Sequence, residues 1–346
     1  MNKLSASANV KILPGVLIVL AVLVAVISVV SLDPFGRRGS GVGRKFTGDI
    51  TELARIDPNL ILYEESSERI STGFAQSHAI AVDSKGLIYA VGDNAIRVFA
   101  PNGDAINEIS LSEAADCVEP GDDGRLYLGV KDRVEVYDAR GQRIASWESL
   151  GANAVLTAIA VSGEDVFVAD AGNRIVVRYD LSGKFVNRIG EKDLERNIPG
   201  FVVPSAYFDL AVSKDGLLRV VNPGRLRVEA YTFDGEFEFS WGKFSVAVEG
   251  FCGCCNPANI ALLPGGGFVT SEKGLARVKV YDSEGTFVGV VAGPDQLLEG
   301  GTPYIAELPE QHRVEGFDVA VDPDGRVLIL DRTKNVIRFY TKKKAG

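Results

Sequence analysis

Apolar and polar positions alternate in short runs along most of this chain, and a period of two predicts half-buried strands. Runs such as Leu87–Val91, Val134–Val136, Val166–Ala169, Val278–Val280 and Val336–Phe339 carry that alternation. Just beyond them an aromatic residue, a turn and a glycine recur, at Phe99–Gly103, Tyr137–Gly141, Tyr179–Gly183, Tyr231–Gly235 and Tyr281–Gly285, with Tyr340 opening a sixth unit. The six aromatics are spaced by 38, 42, 52, 50 and 59 residues. A four-stranded propeller blade needs roughly 40 to 50 residues, so the spacing predicts one blade per unit.

Each unit begins with a short apolar run, as at His78–Asp83, Thr157–Val161, Phe208–Val212 and Phe317–Val321. In the first five units the glycine turn leads into a fourth strand such as Thr286–Ala292, whereas the sixth ends at its third strand with a Lys-rich tail. An apolar segment, Leu60–Tyr63, stands unpaired at the other end of the repeats. Pairing it with the last unit would close the ring and remove exposed sheet edges. The other reading of Leu60–Tyr63 is an extended linker. The expected fold class is all-β, a six-bladed β-propeller over residues 57–346, preceded by one N-terminal transmembrane helix.

Two segments, Val168–Asp180 and Leu328–Tyr340, most closely resemble the NHL-repeat family, and the resemblance extends over roughly Asn59 to Thr341. Units two, four and five depart from the motif between their second and third strands, at Val130–Asp132, Asn222–Gly224 and Ser271–Gly274. The resemblance implies a six-bladed propeller and, for bacterial membrane-anchored members, a domain facing outward.

The membrane expectation rests on Ile12–Leu32, 21 residues without a charge and rich in Val, Leu, Ile and Ala. That length crosses a hydrocarbon layer of about 30 Å, and it exceeds the apolar core of a cleaved signal peptide. The reading is a tail over 1–11, an uncleaved anchor over 12–32 and a linker over 33–56. Lys3 and Lys11 flank one side while Arg37, Arg38, Arg44 and Lys45 flank the other, so a literal count of basic residues favours a cytoplasmic propeller. The short basic tail and the family resemblance favour the periplasmic or extracellular side, which is the reading adopted.

Charge then narrows the partners. Up to Gly48 the chain carries six Lys or Arg against one acid, a balance of +5, which leaves −14 on the remainder of a chain whose total is −9. An acidic propeller excludes nucleic acid, whose phosphates demand a basic surface. Phe35–Gly48, rich in Gly and Arg, reads as a flexible spacer, with anionic lipid headgroups as its second possible contact. A monomeric propeller with a protein or small-molecule ligand is the expected arrangement.

Chemistry is expected on one face. The segments that lengthen later repeats, Glu191–Ser205, Phe244–Pro257 and Pro294–Glu315, all join a fourth strand to the next first strand, and repeat proteins gather insertions on one side. Cys252, Cys254 and Cys255 lie in one insert, Cys252 and Cys255 in C-x-x-C spacing, and repeat alignment puts Cys117 at the same channel mouth. Three readings stay open for these thiols: two disulfides, ligation of a metal ion or cluster, and redox catalysis. The same aligned column holds Ala79, Cys117, Ala158, Asp209, Asn259 and Asp318. Its Asp, Asn and Asp offer oxygen ligands for Ca²⁺, as lactonase-like six-bladed propellers do, or line a wet channel. The only two histidines, His78 and His312, map to this face, fewer than the zinc site of amidating lyases requires.

No phosphate-binding glycine loop, HExxH or G-x-S-x-G occurs. The preferred function is therefore a binding module acting through the insert-bearing face. The alternative is a metal- or thiol-dependent lyase, lactonase-like hydrolase or redox protein.

Overall fold

The computed structural model describes residues 55–253, 255–298 and 316–344. Within them stand six four-stranded antiparallel sheets. Five are built from consecutive strands, with innermost strands Ser77–Val82, Cys117–Pro120, Leu156–Ser162, Leu210–Val212 and Asn259–Leu262. The sixth combines Asp318–Val321, Val327–Asp331 and Val336–Lys342 with an outermost strand from the start of the domain, Tyr63–Ser71. This is the six-bladed all-β propeller that the repeats predict. The expected tail, anchor and nearly all of the linker lie outside the described residues. Among the described residues no helix is long and apolar enough to cross a membrane.

Ring closure differs in register from the sequence expectation. Tyr63 pairs with Lys342, Ile70 with Ile337 and Ser71 with Val336, so of Leu60–Tyr63 only Tyr63 belongs to the closing strand. Leu60–Leu62 instead runs beside the outer strand of blade five, where the Leu62 N–H donates to the Val290 carbonyl at 2.9 Å. Gly289 permits that approach, since a Cβ there would strike the Leu62 side chain and the Leu60 carbonyl. The closing strand escaped the pattern because it is largely polar. An outermost strand buries little, and here only Tyr63 and Ile70 are buried.

Burial falls off from the ring outward. Second strands such as Leu126–Val130 and Val327–Asp331 are buried at every position, whereas the outer strand Ala105–Ser110 buries only Ile109. At five of the six junctions blades lock together through an apolar side chain at the end of an outer strand, which sits on the turn glycine of the next blade. Trp147 packs on Gly183 and Trp241 on Gly285, both glycines having positive φ, 85° and 82°. The turns themselves are held by aspartates: the Asp180 carboxylate accepts the Ser182 and Lys184 N–H groups, and Asp282 those of Glu284 and Thr286. Such side-chain-to-backbone bonds explain why D-x-x-G marks these hairpins.

Candidate functional site: the channel mouth and its inserts

The long connections Gly190–Asp209, Gly242–Ala258 and the one beginning at Gly293 each join an outer strand to the next inner strand. In an up-and-down sheet the turns between second and third strands end on that same face. The inner strands enclose a cavity of about 300 Å³. Ala79, Cys117, Ala158, Asp209, Asn259 and Asp318, the column aligned from sequence, all line it, together with Glu119, Thr157 and Arg332.

Most polar members of that column are stitches between neighbouring blades. Asp209 accepts the N–H of Leu210 at 2.7 Å with one oxygen and that of Ile260, in blade five, at 2.8 Å with the other. Asp318 repeats the device, accepting Val319 N–H at 3.0 Å and Ile80 N–H of blade one at 2.8 Å. Asn259 donates to the Phe317 carbonyl at 2.7 Å, and the Thr157 hydroxyl to the Phe208 carbonyl at 2.5 Å. These bonds tie blades three through six and back to blade one.

A Ca²⁺ site takes six to eight oxygens. Here each oxygen of the Asp209 and Asp318 carboxylates accepts one backbone N–H, so a cation at Asp209, Asn259 and Asp318 would have to share the remaining lone pairs with these stitches. Among the described residues no group of three His, Cys, Asp or Glu side chains is placed to hold a metal. Burial and the charge of Asp318 push the Asp209 carboxyl up to about 7. Burial likewise raises Asp318, while Arg332 and two backbone bonds pull it back. Glu119, deeper in the channel, is pushed by burial to about 8 against a bond from Val161.

Cys117 and the insert cysteines are not brought together. The Cys117 sulfur packs toward Gly129 and Leu156 in the apolar contact between blades two and three. Burial pushes its thiol well above the ordinary range, which makes it an inert core residue. Cys252 and Cys255 sit in the insert between blades four and five, where the Ser205 hydroxyl lies 3.0 Å from the Cys255 sulfur. No disulfide links Cys117, Cys252 and Cys255 to one another. The Asn256 side chain pins this loop, bonding the Cys252 carbonyl and both backbone groups of Lys273. Cys254 and His312 lie outside the described residues. His78 bridges blades one and two, its Nδ1 2.8 Å from the Ala115 carbonyl and 3.8 Å from the Asp116 carboxylate.

Sequence reasoning missed Arg332 and Asp116 as site residues. Arg332 occupies the turn between the second and third strands of blade six, and lines the cavity. Its charge reaches Asp116, Asp209 and Asp318. Its Nε is sealed from solvent without a hydrogen-bond partner among the described residues. The available signal was positional: such turns share the face of the inserts, and the NHL-like segment Leu328–Tyr340 places a charged residue there.

No family model matches the sequence, and no curated protein matches it. Solved structures match the fold. A virginiamycin B lyase from Staphylococcus aureus is 12% identical with a TM-score of 0.54, the match covering 81% of this chain and 100% of that one. A streptogramin B lyase is 11% identical, TM-score 0.53, over 81% of this chain and 97% of that one. A Bacteroides thetaiotaomicron protein of unknown function is 17% identical, TM-score 0.56, over 81% and 72%. At such identity the likeness speaks for architecture alone, and with the six sheets and the closing strand it establishes this chain as a six-bladed β-propeller.

Proposed function

We propose that this chain is a membrane-anchored, NHL-type binding module that takes a protein partner on its insert-bearing face. The observation that carries the reading is a pair of large apolar side chains held in the open on the two inserts flanking blade four: Leu194 is 78% exposed and Phe244 67%. Val202 and Val246 add further exposed apolar surface on the same two inserts. Apolar surface displayed in this way marks interaction sites.

The display is rigid, which reduces the entropy lost on binding. In the first insert Asp193 and Ile198 exchange backbone bonds, and the Asp193 carboxylate caps Glu195 and Arg196. In the second, Ser245 and Phe251 pair through the backbone, and Lys279 holds the Gly250 carbonyl at 2.6 Å from below. The anchor Ile12–Leu32 would keep the propeller on the outer side of the membrane, which protease protection in spheroplasts tests: cleavage of the propeller without lysis is expected, and full protection refutes the outward orientation.

A photo-cross-linking residue at position 244 in the full-length chain should trap one discrete adduct in intact cells. The same residue at Phe185, exposed on an outer strand away from the inserts, should trap none. Equal yields from both positions, or none from either, would contradict the docking role.

The second reading is an enzyme with its site at the channel mouth. Asp209, with a carboxyl near 7, has the proton affinity of an acid or base working at neutral pH. Against it stands the engagement of both Asp209 oxygens by backbone amides. Stoichiometric metal in purified protein, lost in Asp209→Asn together with turnover of a defined substrate, would favour this reading over the first.

A further inference from the structure

One register column recurs two residues before the third-strand aromatic of each blade: Arg97, Glu135, Val177, Glu229, Lys279 and Arg338. Each stands opposite the interior of its blade's second strand. In blades two and four the column holds a buried acid that is satisfied inside its own blade. Glu135 accepts from Arg133, Arg143 and the Tyr137 hydroxyl. Glu229 accepts from Arg227, Asn222 and the Tyr231 hydroxyl.

In blades one, five and six the column is a cation, and each cation reaches a carbonyl of the connection that leads into its blade. Arg97 donates to the Thr72 carbonyl at 2.5 Å, Lys279 to that of Gly250 at 2.6 Å and Arg338 to that of Gln296 at 2.6 Å. An ionised carboxylate could not make these bonds, because it accepts and the carbonyls accept too. Blade five differs from blade four by an exchange at two aligned positions. Asn222 lies opposite Arg227 in blade four, and Glu272 opposite Arg277 in blade five. The acid thus moves from the third strand to the second, and a lysine stands in its former place. The neighbouring hydroxyl follows: Tyr231 donates to Glu229 at 2.7 Å, whereas Tyr281 donates to the Glu249 carbonyl of the insert at 3.2 Å. The insert entering blade four is fixed differently, at Val202, by the Asn222 side chain and the Gly224 amide.

We propose that this column is a clamp on the insert-bearing face, and that Lys279 is the positioning residue of the docking surface, fixing the insert that displays Phe244 and Val246. The proposal rests on the docking reading given above. The clamp reaches Phe244 through a short path. Lys279 and Tyr281 hold the Gly250 and Glu249 carbonyls, which directly precede Phe251. The buried Phe251 ring lies 4.2 Å from the Lys279 ammonium. The Phe251 backbone in turn bonds the Lys243 carbonyl at 2.9 Å and the Ser245 amide at 3.0 Å, on either side of Phe244.

Hydrogen exchange of the detergent-solubilised full-length chain, read by mass spectrometry on peptides covering 243–251 and Leu218–Asn222, tests the proposal. Glu272→Asn combined with Lys279→Glu transplants the blade-four set into blade five. Exchange over 243–251 should then quicken by about tenfold or more, the loss of a charge-assisted bond, while Leu218–Asn222 stays as slow as in the wild type. Lys279→Arg should keep 243–251 slow, because arginine makes the corresponding bond in blades one and six. Tyr281→Phe removes a single hydroxyl and should quicken 243–251 by about fivefold, which decides the matter if the transplant does not fold. The transplant should also lower the cross-link yield at position 244. Exchange needs no partner, so fast exchange in the transplant with no wild-type adduct at 244 would support the clamp and sink the docking reading alone. Wild-type exchange over 243–251 in the folded transplant, or in Tyr281→Phe if the transplant does not fold, overturns the proposal. Equal acceleration in Lys279→Arg and the transplant does so too.

Discussion

Replacing Glu272 with Ala is expected to lower stability by about 3–5 kcal/mol, the cost of leaving buried cations without their counter-charge. Glu272, Arg277 and Lys279 lie under the second insert, each no more than 1% exposed. The Glu272 carboxylate pairs with Arg277 at 2.8 Å and with the Lys279 ammonium, and among the described residues it is the one acidic side chain paired with both. Burial pushes Lys279 down to about 8 even with Glu272 holding its charge. In the variant the hydrogen bonds left to the two cations are those to insert carbonyls, Val246 for Arg277 and Gly250 for Lys279, with the Phe251 ring 4.2 Å from the ammonium.

The sign of the pH response follows from that depression. A lysine whose folded value lies below its unfolded value, about 10.4, binds fewer protons when folded between the two, so stability rises with pH across that window. The Glu272→Ala variant should therefore recover as pH is raised above 8, and Lys279→Met added to it should recover part of the loss at neutral pH by replacing a stranded charge with an apolar side chain. Thermal melts of wild type and both variants across pH check this. Because Lys279 and Tyr281 hold the insert at the Gly250 and Glu249 carbonyls, the variant should also lose cross-linking at Phe244.

Gly285→Ala is expected to cost about 2–5 kcal/mol, from about 1–2 for a left-handed alanine and about 1–3 for forced repacking. Its φ is 82°, and an added Cβ would stand inside the Trp241 indole. Trp241 cannot yield cheaply, since it packs against Tyr281, Phe268 and Phe251 at ring separations of 4.7, 5.3 and 6.4 Å. Gly216→Ala serves as the comparison, because φ there is 78° but a Cβ would meet nothing within 4 Å. It should cost only the backbone part, about 1–2 kcal/mol. Equal losses in denaturant titration would show that the indole is not wedged between blades.

The blades were legible because each repeat writes its own alternation, turn aspartate and glycine, all local signals. The closing strand was only half legible: its absence at Tyr340 could be read, but Glu64–Arg69 offers no apolar pattern because that strand faces solvent. The column of channel residues could be aligned, since register repeats from blade to blade. Its role could not, because whether Asp209 points into the channel or to Ile260 depends on how adjacent blades are rotated. Cys117 shows the same limit, aligned with the rim yet turned into the contact with Leu156. Arg332 was hidden for a related reason, as its partners in charge come from blades two and four as well as its own.

The account stands on a ring closed by Tyr63–Ser71 against Val336–Lys342. Glu64 and Thr341 are exposed partners across that pairing. In a chain carrying Glu64→Cys and Thr341→Cys, mild oxidation should give a disulfide between these two positions, read by peptide mass spectrometry, because paired Cα atoms lie within disulfide reach. No 64–341 link, with a link forming instead when Leu60→Cys replaces Glu64→Cys, would mean that the ring closes in another register and that the channel mouth is built differently.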